Sequence, residues 1–108
     1  MSKIRGYTPA TREALNFLGT QIREGRARRG WTQSQLAERI GVTKLTVINI
    51  ERGNPSVAVG TVFEAATLTG VVLYDPDPDA RTRYRRIQEA ELALLPAAVR
   101  PRKTVDDF

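Results

Sequence analysis

One stretch constrains the fold more than any other: Thr32-Gln33-Ser34-Gln35-Leu36-Ala37-Glu38-Arg39-Ile40-Gly41-Val42-Thr43. Thr32 followed three residues later by Gln35 is a capping box, in which each side chain satisfies a backbone N–H at the start of a helix. Gly41 ends that helix, because glycine enters the left-handed conformation without a steric penalty. Only Val42 separates it from Thr43, a second N-cap. A third helix then runs from Lys44 to Arg52 and stops at Gly53.

Two short helices joined by a glycine turn form the helix-turn-helix outline. Counting from Gln33, the fourth and fifth positions are Leu36 and Ala37. A small residue is required at the fifth, where the two backbones cross closely. The ninth is Gly41, in the turn. The fifteenth and eighteenth are Val47 and Ile50, which pack the third helix back onto the second. Any one match is weak, but together they are specific.

The rest of the chain extends this unit. Thr8-Pro9 suits the cap and first position of a helix. Ala14, Leu15, Leu18, Ile22 and Ala27 keep a helical period up to Gly30, with Gly19 and Gly25 as weak points that favour a bend. Trp31, the single tryptophan, is assigned to the core. Val59, Val62, Phe63 and Ala66 mark a fourth helix ending at Gly70. Val71-Val72-Leu73-Tyr74 is read as a short strand. Asp75-Pro76-Asp77-Pro78-Asp79 is read as a stiff acidic connector that is neither helix nor regular strand. Ala80 to Leu95 is a fifth helix with Tyr84, Ile87, Ala90, Leu94 and Leu95 as its apolar side, ended by Pro96. The expected architecture is mainly α: a compact helix-turn-helix DNA-binding domain over residues 1–74, with one short strand. An acidic linker, a helix and a C-terminal tail follow over 75–108.

Charge points to the partner. Residues 20–54 hold seven basic and three acidic residues, and residues 81–103 hold seven and two, in a chain of net charge +5. Such patches attract polyanions. Cysteine and histidine are both absent, which removes thiolate metal sites and the commonest general base. With no glycine-rich phosphate loop either, no enzymatic activity and no cofactor are expected. Asp75, Asp77 and Asp79 alternate like a loose calcium loop, but prolines interrupt them and the distal glutamate is missing, so no metal is expected. No apolar run reaches the ~20 residues of a membrane span. The first residues lack the apolar stretch of a secretory signal, and a cytoplasmic protein is expected.

At 100° per residue, Thr43, Val47 and Ile50 lie on the inner side of the third helix. Lys44, Leu45, Ile48, Asn49 and Arg52 lie on the other, with Thr46 on a flank. A cation, an amide and two aliphatics fit a major-groove reader: Lys44 to guanine acceptors, Asn49 to adenine, Leu45 and Ile48 to thymine methyls. Gln33 and Thr43, at helix N-termini, are candidate phosphate contacts. Thr46, Arg52 and Asn54 join them. Arg28, Arg29 and Arg39 are assigned to solvent.

The stretch 30–43 together with Ile50-Glu51-Arg52-Gly53 resembles the phage-repressor (Cro/lambda-repressor) class of helix-turn-helix proteins. That likeness implies a compact domain acting as a homodimer on double-stranded DNA with an inverted repeat. It also implies a buried ion pair between Arg26 and Glu51, which takes Arg26 off the DNA-contact list. The order of the helix-turn-helix, Glu51-Arg52-Gly53-Asn54-Pro55-Ser56-Val57, Gly60-Thr61-Val62-Phe63 and Val71-Val72-Leu73 is similar to HipB-type antitoxins, which partner HipA-type kinases. There the strand after the fourth helix pairs with its twin. Two readings stay open: an antitoxin that autoregulates and neutralises a kinase toxin, and a free-standing phage-type repressor. Tyr84, Ile87 and Phe108 are the candidate partner contacts.

Overall fold

A computed structural model of the chain describes residues 6–98. The tail, with Phe108 as a candidate contact, lies outside the described residues. The order is α1 (Pro9–Arg28), α2 (Gln33–Ile40), α3 (Lys44–Glu51), α4 (Val59–Leu68) and α5 (Pro78–Ala93). Each start has a local cause. Thr8 accepts from the Thr11 N–H and Pro9 opens α1. Thr32 and Gln35 close the capping box of α2, and Thr43 accepts from the Thr46 N–H at α3. Gly41 ends α2 with φ at +83°, where a side chain would be strained.

The core of the first unit is Ile22, Leu36, Ala37, Val47, Ile50, Ala65 and Ala66. Leu18, Trp31, Ile40, Val42, Val57, Val62, Val71 and Leu73 pack around it, half-buried. Three alanines in so small a core let helix axes approach closely. Gly19 and Gly25 serve the same end. α1 runs through both as one element of 20 residues, so they are contact points and not breaks. A Cβ on Gly19 would lie 2.6 Å from the Ile50 carbonyl oxygen, and one on Gly25 would strike the Thr69 carbonyl.

Two expectations are corrected. Val71–Tyr74 forms no strand, and none occurs among the described residues. Val71 and Leu73 turn toward the core while Val72 and Tyr74 are exposed. That alternation suits a strand, but a ladder needs a second strand beside it, and none lies there among the described residues. The acidic connector is also shorter than expected. Pro78 and Asp79 already belong to α5, because Asp77 accepts from the Asp79 N–H and Pro78 fits the first turn. Asp75 likewise accepts from the Asp77 N–H. These carboxylates cap turns, and no metal-ligand group occurs among the described residues.

The described residues divide into two units between Leu73 and Tyr74. In the second unit α5 buries no residue, and Arg81 Nη1 donates to the Asp75 carbonyl at 2.7 Å. No helix among the described residues is long and apolar enough to cross a membrane.

Candidate nucleic-acid interface

Val47 and Ile50 are buried, which turns the opposite side of α3 outward. Lys44, Leu45 and Arg52 are exposed there, with Ile48 and Asn49 half-exposed beside them. Leu45 keeps 63% of its surface in water. A leucine so exposed gains little from the fold. Thr46 is half-buried, and its hydroxyl lies 3.1 Å from that of Thr43.

An ion-pair network sets the pose of α3. Arg26 Nε donates to Glu51 Oε2 at 2.6 Å and Nη2 to Oε1 at 3.1 Å. The third nitrogen, Nη1, donates to the Trp31 carbonyl at 2.8 Å. The side chains are 13% and 4% exposed. Gln33 Nε2 donates to Glu51 Oε1 at 3.0 Å. The last residue of α3 is therefore tied to the end of α1 and the first residue of α2. The planar fork of arginine suits this, since three donors are aimed at once. Gln33, proposed from sequence for phosphate, thus donates one amide N–H to Glu51 and keeps a second donor on the same nitrogen. Its backbone N–H at the start of α2 still belongs to the group that a helix leaves without an internal partner.

Two shallow hollows flank α3. The first, of about 370 Å³, is lined by Arg23, Arg26, Thr32, Gln33, Ser34 and Lys44. It gathers two helix N-termini with Arg23 and Lys44, a setting for a phosphate, while its third cation, Arg26, is paired to Glu51. The second, of about 500 Å³, brings Tyr7, Arg12 and Asn16 of the α1 end to Arg52, Asn54 and Pro55. Asn54 Oδ1 accepts from the Ser56 N–H at 2.8 Å and hydroxyl at 2.7 Å, so it holds the turn after α3. Sequence reasoning missed Arg23, Arg12 and Tyr7. Arg23 carried a signal: it sits three residues before Arg26, on the same face of α1. Arg12 and Tyr7 carried none, since their place depends on how α1 meets the turn after α3.

Two arginines assigned to solvent have structural partners. The Arg39 guanidinium stacks 4.1 Å from the centroid of the Trp31 ring. Arg29 Nη1 donates to the Thr69 carbonyl at 2.8 Å and so caps the end of α4. Arg28 pairs with Glu24 at 2.8 Å in the open, where such a pair contributes little.

A helix-turn-helix family model matches residues 22–72. The chain is 43% identical over 51 residues to the HTH-type transcriptional regulator SutR of Escherichia coli (strain K12), covering 47% of this chain and 29% of that protein. An uncharacterized HTH-type transcriptional regulator of Methanothermobacter thermautotrophicus is 54% identical over 37 residues, 34% of this chain and 54% of that one. Another from Archaeoglobus fulgidus is 48% identical over 52 residues, 43% of this chain and 74% of that one. The chain thus spans under a third of the first relative and about half of the second. No solved structure matches it.

Proposed function

Because the chain belongs to the helix-turn-helix family matched over residues 22–72, we propose that it is a sequence-specific DNA-binding transcriptional regulator. In this reading it acts in the cytoplasm as a homodimeric repressor on an inverted repeat, with no catalytic activity and no cofactor. The observation that carries the reading is the outward side of α3. Lys44, Leu45, Ile48 and Asn49 face away from the core on a helix held rigid at its far end by Arg26, Glu51 and Gln33. Two such helices about 34 Å apart would enter successive major grooves.

A gel shift on the chain's own promoter against random DNA tests this. Binding should favour the promoter and weaken steeply with salt as counterions leave the phosphates. Equal affinity for both DNAs would overturn specific regulation. Lys44→Ala and Asn49→Ala should each cost about 1–3 kcal/mol on the promoter and relax base choice at one position. Arg52→Ala should instead weaken all sequences alike and lower the salt slope by about 1. A promoter bound unchanged by Asn49→Ala would remove that residue from the reading face.

A second reading is favoured by the separate unit that begins at Tyr74. The DNA-binding core is complete without it, and the chain resembles HipB-type antitoxins. On that reading the extension, with Tyr84, Ile87 and the tail residue Phe108, serves neutralisation of a HipA-type kinase. Co-expression with the neighbouring gene product should yield a complex. Deleting residues 97–108 should weaken neutralisation while DNA binding persists. Full neutralisation by the truncated chain would remove the tail from that role.

A further inference from the structure

α5 is 16 residues long and buries none of them. A lone helix of that length is marginal in water. Ala80, Tyr84, Ile87 and Leu94 fall on one stripe about a hundred degrees wide, at the spacing of a helix-pair seam. Tyr84, Ile87 and Leu94 are all more than half exposed. Glu91 falls inside the same stripe, a charge where an apolar residue would be expected.

The charges on α5 are sorted along its axis. Its first half carries Arg81, Arg83, Arg85 and Arg86 against Asp79 alone, and its second half carries Glu89 and Glu91 with no cation. A parallel twin would set arginines against arginines. An antiparallel twin sets arginines against glutamates and also opposes the helix dipoles. We propose that α5 pairs antiparallel with the α5 of a second copy of this chain, about a two-fold axis at Ile87. This rests on the homodimeric reading above and names the surface for it.

The register is self-consistent. With Ile87 against its twin, Ala80 faces the partner's Leu94, small against large, and Tyr84 faces the partner's Ala90. Arg83, on the flank of the stripe, comes level with the partner's Glu91. The one charge in the apolar stripe thereby gains a cation, and the symmetry supplies this pair twice.

The chain has no cysteine, so each introduced thiol is unique. In the full chain under mild oxidation, Ile87→Cys is expected to form a disulfide-linked dimer, because only a residue at the axis meets itself. Ala80→Cys is expected to stay unlinked. Arg83→Glu should weaken dimerisation at least tenfold in sedimentation, and adding Glu91→Arg should restore it. Linking of both cysteine variants would mean a parallel pair and overturn the proposal. A dimer that neither links through Ile87→Cys nor responds to Arg83→Glu would have its interface elsewhere, which overturns this pairing and leaves the homodimeric reading intact. A chain monomeric at all concentrations would overturn both.

Discussion

Arg26→Ala is expected to lower the melting temperature of the first unit by at least about 12 °C. Glu51 is 4% exposed, and Arg26 supplies two of its hydrogen bonds. Removing one side of a buried pair leaves a charge without compensation, at about 3–5 kcal/mol. A domain of this size loses about 4–8 °C per kcal/mol. The Trp31 carbonyl loses its donor in the same step. Arg26→Lys should recover only part of the loss, because one ammonium cannot reach both carboxylate oxygens and the Trp31 carbonyl. Thermal melts followed by circular dichroism read all of this. A shift of a degree or two would mean that solvent, not Arg26, satisfies Glu51.

Gly25→Ala is expected to destabilise the fold by about 1–3 kcal/mol, against the sign that helix propensity gives. In a helix interior the change should gain up to about 1 kcal/mol. Here the new methyl would strike the Thr69 carbonyl and lie 2.9 Å from the Thr69 Cβ. Thr69 has nowhere to go. It is 2% exposed, its hydroxyl donates to the Ala65 carbonyl at 2.7 Å, and its own carbonyl accepts from Arg29. Overpacking against backbone must move a helix, so the cost falls at the upper end of its usual range. Gly60→Ala is the control. Gly60 lies in α4 with nothing near its would-be Cβ. There the propensity gain should appear unopposed, as a slightly higher melting temperature. If both alanines stabilised, the α1–α4 contact would be looser than described.

These two sites mark where sequence reasoning stops. Gly25 looked like a weak point of a helix because only its neighbours in the chain were in view. Its actual partner is Thr69, 44 positions away. Arg29 and Arg39 are exposed, as solvated charges would be, but their contacts with Thr69 and the Trp31 ring are not legible in the sequence for the same reason. Gln33 is read from sequence as a phosphate contact alone, and the structure adds a hydrogen bond from its amide to Glu51, 18 positions away.

What the sequence determined by itself has a short reach. Thr32, Gln35, Gly41 and Thr43 specify where α2 and α3 begin and end, since capping acts within four residues. Val47 and Ile50 specify which side of α3 faces in, and hence that Lys44, Leu45, Ile48 and Asn49 face out. What only the tertiary structure decided was which distant groups meet. Arg23 comes to Gln33 and Lys44, and Arg12 comes to Arg52. Val71–Tyr74 stays without a ladder. Local hydrogen bonds and side-chain period are properties of a few consecutive residues. The approach of two helices depends on the volumes of all the side chains between them, and a strand on a second strand beside it, which the described residues do not supply.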